Sequence, residues 1–138
     1  MNVNQVILID DDEVVNFFDK MVLSKLGLKD SEIKVFNNVA TALRYLDQTQ
    51  KNIDRNLKGI ILLDIQMPEL DGWDFLSMYD RLSSELKQHF KIIMLTSDKH
   101  PYIQEKNKYH NLIHDFLNKP LTLPVFQGIV GSATAENV

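Results

Sequence analysis

The stretch GIILLDIQMPELDG, residues 59–72, decides the fold class, because an apolar run stops there at a single carboxylate. Residues 59–63 read as a buried strand, and the Met-Pro and Asp-Gly pairs after Asp64 are typical of a loop. A carboxylate at the end of a buried run is costly unless a charged partner lies beside it. Asp64 therefore begins either an ordinary turn or a reactive site on a rigid support.

Length and composition indicate one globular domain. The chain has 138 residues, of which 44% are hydrophobic and 25% charged, and its net charge of −4 gives no basic footprint for nucleic acid. The absence of cysteine excludes disulfides, thiolate zinc sites and thiol nucleophiles. The apolar run near the N-terminus is too short for a signal peptide or a membrane span. We therefore expect a cytoplasmic protein that contacts neither a membrane nor, directly, nucleic acid.

Four further apolar runs resemble residues 59–63 in length and composition. They lie at residues 6–9, 33–36, 91–95 and 113–117. Amphipathic stretches separate the runs, and this alternation predicts a parallel sheet covered by helices on both faces. A closed eight-fold barrel needs roughly 200 residues or more, so an open doubly wound sheet fits the length.

The helical patterns have expected starts and ends. The second helix should follow Asn38, a fourth should start near Pro101, and the third should run from Asp71 through Leu86. The buried face of the first helix is expected to hold four apolar side chains: Val15, Phe18, Val22 and Leu26. The fifth helix, from about Leu123, contains two glycines and should be short. The expected core spans about residues 6–130, and residues 131–138 are expected to form a frayed tail.

Polar side chains recur at the carboxyl ends of the predicted strands. In chain order they are Asp10, Asp11, Asp12, Asp64, Thr96, Ser97 and Lys119. Each has an ordinary explanation alone, since acidic residues cap helices and Thr-Ser or Lys-Pro pairs occur in loops. Because these ends meet at one edge of a doubly wound sheet, we expect the side chains to converge there.

Convergence of these groups has a chemical consequence. Two carboxylates roughly 4 Å apart repel by about 4 kcal/mol at an effective dielectric constant near 20, and a divalent cation relieves that repulsion. Carboxylate oxygens without histidine or cysteine suit a hard ion, and Mg²⁺ is the common one. Asp64 could act as a nucleophile that forms an acyl phosphate, while Lys119 and Thr96 bind the transferring phosphoryl group.

The segments LIDDDE, LLDIQMPELDG, LTS and FLNKP resemble the receiver domain of bacterial two-component response regulators. The resemblance covers about residues 6–130, and the chain is similar to stand-alone receivers of the chemotaxis or sporulation-relay type. It implies one receiver domain over residues 1–138 with no output domain. It also implies a flavodoxin-like fold with strand order 2-1-3-4-5 and five helices. Such a domain is a phosphoprotein switch that catalyses only its own phosphorylation and dephosphorylation.

The resemblance also implies a role for each matching residue. Asp64 would accept phosphate from a sensor histidine kinase or a phosphotransfer protein. Asp10, Asp11, Asp64 and the backbone carbonyl of Gln66 would bind Mg²⁺. Thr96 and Phe116 would switch the side of the sheet formed by the fourth and fifth strands, for a downstream protein target. Gln66 and Asp98 would tune dephosphorylation, and the Lys119–Pro120 bond would be cis.

Three alternatives stay open at this point. The acidic pair could be Asp11 and Asp12 in place of Asp10 and Asp11, although the apolar residues before Asp10 favour the latter. The spacing of Asp10 and Asp12 also fits a Mg²⁺-dependent phosphohydrolase with an aspartyl nucleophile, but the Gly-Thr that usually follows is replaced by Glu13 and Val14. The third alternative is a degenerate receiver that only binds a partner.

Overall fold

The computed structural model describes residues 3–97 and 109–135 and contains one five-stranded parallel sheet in the order β2-β1-β3-β4-β5. The strands are β1 Gln5–Ile9, β2 Ile33–Phe36, β3 Gly59–Asp64, β4 Phe90–Thr96 and β5 Ile113–Asn118. Each run of apolar residues that predicted a strand is a strand. The doubly wound α/β fold and the strand order are therefore confirmed.

Five α-helices lie within the described residues. They are α1 Glu13–Lys25, α2 Val39–Thr49, α3 Gly72–Tyr79, α4 Ser84–Gln88 and α5 Leu123–Ala135, with short 3-10 helices at Asp30–Glu32 and His110–Leu112. The side chains of Asp12, Asn38, Asp71 and Ser83 cap the first four helices by accepting backbone N–H groups. The helix expected near Pro101 lies outside the described residues.

The prediction of one long third helix from Asp71 through Leu86 was wrong, because the structure divides this segment into α3 and α4. Ser83 starts a new helix by accepting the N–H of Leu86 on its hydroxyl group at 3.1 Å. Leu86 is nevertheless buried, as are Leu76 and Tyr79 of α3. The apolar stripe therefore identified the buried residues correctly but not the break between the two helices.

The prediction for the buried face of α1 was also wrong in part. Val22 is buried, but Phe18 is 51% exposed, and the helix instead buries the polar residues Asn16 and Asp19. Phe17 is 70% exposed. Because apolar residues occur on several sides of this helix, their spacing alone did not fix its rotation against the sheet.

The last helix, α5, extends to Ala135, beyond the core boundary expected near residue 130, and it is not short. Gly128 lies within it, where an added Cβ atom would meet no other atom within 4 Å. A glycine costs a helix about 1 kcal/mol relative to alanine. The packing of Phe126 and Ile129 into the core offsets that cost.

Two apolar cores cover the two faces of the sheet. Side chains of β1 alternate between them, because successive residues of a strand point to opposite faces. Val6 and Leu8 pack on the side of α1 and α5, whereas Ile7 and Ile9 pack on the side of α2, α3 and α4. This packing fixes the carboxyl ends of β1 and β3 next to each other. Among the helices that the structure describes, none combines the length and apolar composition needed to cross a bilayer.

Candidate functional site

Three carboxylates meet at the carboxyl edge of the sheet. Ile9 of β1 pairs with Leu63 of β3, so Asp10 and Asp64, which come next along the chain, lie side by side. Asp10, Asp11 and Asp64 each offer a carboxylate oxygen, and these oxygens lie within 4.8 Å of one another. Asp10 and Asp64 are buried, while Asp11 is exposed. The structure therefore brings together the acidic residues that the sequence placed at these strand ends.

Asp12 lies next to this cluster but has a different role. Its Oδ1 atom accepts the backbone N–H groups of Val14 at 2.9 Å and Val15 at 3.2 Å, and it thereby caps α1. Its own N–H donates to Oδ1 of Asp10 at 2.9 Å. The carboxylates that face Asp64 are therefore those of Asp10 and Asp11, and the carboxylate of Asp12 faces the helix.

Lys119 connects the two buried carboxylates. Its Nζ atom lies 2.7 Å from Oδ2 of Asp10 and 3.5 Å from Oδ2 of Asp64. Its backbone N–H donates to the carbonyl of Thr96 at 2.9 Å, and the Lys119–Pro120 bond is cis. Burial alone would lower the pKa of Lys119, but the hydrogen bond to Asp10 and the charges of both aspartates raise it. The lysine is thus a cation that faces two acceptors.

Asp64 has an unusual protonation equilibrium. Burial and the nearby charge of Asp10 raise the pKa of Asp64 from 3.8 to about 6. Lys119 and the backbone N–H of Gln66 act in the opposite direction, because both stabilise the ionised form. A cation bound at these oxygens would favour the ionised form of Asp64, so the electrostatics of the site fit a bound metal ion.

This protonation equilibrium predicts how stability depends on pH. The pKa of Asp64 is about 6 in the folded state and 3.8 in the unfolded state. The protonated Asp64 therefore favours folding fully below pH 3.8, and this stabilisation is lost as the pH rises through about 6. From near pH 4 to near pH 7.5, the Asp64→Asn variant should gain about 1–3 kcal/mol in free energy of unfolding relative to wild type. Urea unfolding without divalent metal measures the difference. An Asp47→Asn control, exposed on α2, should show no such trend, and a constant difference for Asp64→Asn would contradict the prediction.

Gly72 allows the loop after β3 to pass close to the backbone of Asp64 and Ile65. Its N–H donates to the carbonyl of Ile65 at 2.9 Å. A Cβ atom at this position would lie 3.0 Å from the backbone oxygen of Asp64 and 3.0 Å from the Cα atom of Ile65. Both neighbours are backbone atoms, which cannot rotate away, so only glycine fits without a shift of the loop.

A pair of glycine variants tests this close approach. Gly72→Ala should lower the free energy of unfolding by about 1–3 kcal/mol, because the new methyl group overpacks against backbone. Gly128→Ala is the matched control, since its methyl group enters open space in a helix and should raise stability by about 0.5–1 kcal/mol. Urea unfolding measures both. Equal effects of the two substitutions would show that the loop adapts to a side chain at position 72.

The other predicted residues lie at the end of β4, in the loop after β3 and on β5. Thr96 ends β4 with its side chain buried, and the side chain of Gln66 is exposed. Phe116 on β5 is half-buried, and its ring stacks on that of His110 with centroids 5.5 Å apart. Asp98 lies outside the described residues.

Asp19 is a buried carboxylate of this region that the sequence analysis did not predict. It projects from the buried face of α1 and is only 7% exposed. Burial and the charge of Asp10 raise its pKa to about 6, while Lys119 acts to lower it. The signal in the sequence was its spacing, four residues after Val15 and three before Val22, on the face expected to be buried.

Comparisons with known proteins agree with this geometry. Residues 6–130 match the response regulator receiver domain family. A two-component response regulator from Cytophaga hutchinsonii is 23% identical with a TM-score of 0.81, and the match covers 96% of this chain and 98% of that chain. A CheY-like receiver domain protein from Methanospirillum hungatei JF-1 is 26% identical with a TM-score of 0.70, covering 96% of this chain and 98% of that chain. No curated protein sequence matches.

Proposed function

The chain belongs to the response regulator receiver domain family of two-component systems, and from that premise we propose that Asp64 is its phosphoacceptor. The observation that carries the proposal is the position of Lys119, whose Nζ atom lies 2.7 Å from Asp10 and 3.5 Å from Asp64. A cation held at this point can offset charge that develops on a phosphoryl group attached to Asp64. Such domains act in signalling, and we propose a cytoplasmic location for this one.

The donor set at the site fits a hard divalent cation. Asp10, Asp11 and Asp64 supply only carboxylate oxygens, and they are close enough to share one ion. We propose that they bind Mg²⁺ together with the backbone carbonyl of Gln66. When bound, Mg²⁺ would offset the carboxylate charge and attract phosphoryl oxygens.

The reaction is a transfer of a phosphoryl group between two nucleophiles. A carboxylate oxygen of Asp64 forms a bond to phosphorus while the bond from phosphorus to the nitrogen of a phosphohistidine breaks, and the histidine leaves with the electron pair. The phosphohistidine belongs to a sensor histidine kinase or a phosphotransfer protein. Lys119 keeps its positive charge throughout, because its raised pKa holds the proton on the amine.

We propose that phosphorylation changes the side of the sheet formed by β4 and β5. Thr96 lies at the end of β4, and its carbonyl accepts the backbone N–H of Lys119. A shift of the lysine toward phosphate would therefore also move Thr96. Met94 pairs with Phe116 in the β4–β5 register, which connects the two strands behind the site. The resulting shift in population would present a different surface to a downstream protein.

A phosphate mimic tests this switch. Beryllium fluoride with Mg²⁺ should shift the backbone amide signals of Thr96 and Phe116 in a heteronuclear NMR spectrum, because the mimic occupies the phosphoryl position at Asp64. The Asp64→Asn variant should show neither shift. Shifts confined to residues adjacent to Asp64 would contradict the switch but not the phosphoacceptor.

The phosphohydrolase alternative rests on the spacing of Asp10 and Asp12, and their contacts count against it. Both oxygens of Asp10 are engaged, one by the N–H of Asp12 and the other by Lys119. Asp12 is held by the amides of α1 and does not face the site. Turnover of a small phosphate ester that survives Asp64→Asn would favour this alternative.

A further inference from the structure

A cleft of about 500 Å³ lies between α1 and β2, an outer strand of the sheet. Phe17 of α1 and Val35 and Phe36 of β2 provide its apolar lining. Phe17 is 70% exposed and Val35 is 39% exposed, so the apolar surface continues from the cleft onto the outside of α1. A large exposed apolar side chain beside an open apolar cleft is typical of a surface that binds another protein.

Opposite charges lie on the two sides of Phe17 along α1. Glu13 is four residues before it and Lys20 is three residues after it, so all three side chains lie on one face of the helix. Glu13 and Lys20 also line the cleft. Lys20 pairs with Asp30 at 2.8 Å, but the side chain of Asp30 is 87% exposed, and surface ion pairs of this kind contribute little to stability. The ammonium group can therefore exchange Asp30 for another carboxylate at small cost.

This arrangement is complementary to itself. If two copies of α1 pack antiparallel about a twofold axis near Phe17, Glu13 of each copy faces Lys20 of the other copy. A parallel arrangement would instead place each charge next to the same charge of the other copy, and charges beside a helix contact decide its orientation. The chain thus supplies an apolar side chain, a cleft that such a side chain fits, and both charges in the order that an antiparallel pair requires.

We propose that the cleft between α1 and β2 binds Phe17 of a second copy of this chain, in a dimer with twofold symmetry. Phe17 of each copy packs against Val35 and Phe36 of the other, and two pairs of Glu13 with Lys20 lie at the rim. The 13 residues of α1 span only about 20 Å, so the interface is small. We expect a weak dimer with a dissociation constant of about 10–500 µM.

Sedimentation equilibrium over protein concentrations that bracket this range tests the dimer, without a phosphoryl donor or divalent metal. Phe17→Ser should weaken dimerisation about tenfold or more, because it removes the apolar side chain at the centre of the interface. Met78→Ser is the matched control, since it replaces an exposed apolar side chain of α3 and should leave dimerisation unchanged.

Exchange of the two charges tests the antiparallel orientation. Glu13→Lys and Lys20→Glu should each weaken dimerisation about tenfold, because like charges then face each other at both ends of the interface. An equimolar mixture of these two variants should dimerise about as well as the wild type, because one copy then carries two positive charges and the other two negative charges. This recovery distinguishes a loss of contact between copies from a loss of folding.

Three results would overturn the proposal: a wild-type chain that stays monomeric throughout, equal dimerisation of wild type and Phe17→Ser, or a mixture that associates no better than either charge variant alone. None of these results bears on the phosphoacceptor, because labelling of Asp64 is measured separately and the residues of this interface lie outside the acceptor site.

Discussion

Incubation with acetyl phosphate and Mg²⁺ should add one phosphoryl group to the wild-type chain and none to the Asp64→Asn variant. The asparagine amide is a far poorer nucleophile than a carboxylate. Asp10 is also buried and contacts Lys119, but both of its oxygens are engaged, one by the N–H of Asp12 and the other by Lys119. The effect is therefore a complete loss of labelling. Intact-mass spectrometry measures it directly.

The Asp47→Asn variant is the control for this experiment, because it removes a carboxylate on α2 away from the site. It should be labelled as well as the wild type. Labelling that persists in Asp64→Asn and disappears in Asp10→Asn would identify Asp10, directly after β1, as the nucleophile. That result would support the phosphohydrolase alternative. No labelling of wild type would support a degenerate receiver that only binds a partner.

Lys119→Met should lower the free energy of unfolding by about 3–5 kcal/mol near pH 7.5 in the absence of divalent metal. Methionine keeps much of the length of lysine, but it leaves two buried carboxylates without the cation that contacts both. The loss should be smaller near pH 5, because the pKa of Asp64 is about 6 and its protonation there removes the repulsion from Asp10. Added Mg²⁺ should recover part of the loss, since the substituted site keeps its carboxylate ligands.

Urea unfolding with and without Mg²⁺ measures these effects. Lys87→Met is the matched control, because Lys87 pairs at 3.3 Å with Asp80 in a surface ion pair. Such pairs contribute about 0–1 kcal/mol. Similar losses for both variants, or no recovery of Lys119→Met with Mg²⁺, would show that the lysine does not balance a shared carboxylate charge.

The sheet and the convergence of polar residues at its edge could be predicted from the sequence. Short apolar runs require burial on both faces, which a parallel sheet provides, and parallel strands place their carboxyl ends at one edge. The position of Asp64 after residues 59–63 follows from these two rules. Lys119 follows from the same rules, because it comes directly after the fifth apolar run. Its distances of 2.7 Å to Asp10 and 3.5 Å to Asp64 could not be derived, because only the fold determines them.

The rotation of α1 could not be predicted, for a physical reason. Val14, Phe17 and Phe18, at positions i, i+3 and i+4, share one face of the helix, whereas Val22 and Leu23 lie on another. The helix buries only one of these faces against the sheet, and hydrophobicity does not decide between them. Hydrophobicity ranks Phe18 above Asp19 as a core residue, yet the structure exposes more of the phenylalanine. The division of the third helix had a local signal, since Ser83 is a good cap three residues before Leu86, but the continuous apolar stripe concealed it.

The ammonium group of Lys119 competes with cations from solution for the carboxylate oxygens of Asp10 and Asp64. Because the ammonium group is tethered, its effective concentration near the carboxylates is high whenever no ligand is present. A monovalent cation from solution gains little by displacing it, so the site resists occupation by abundant salts. If Asp64 forms the proposed acyl phosphate, the same ammonium group would restore its contacts to Asp10 and Asp64 after hydrolysis, without help from another molecule.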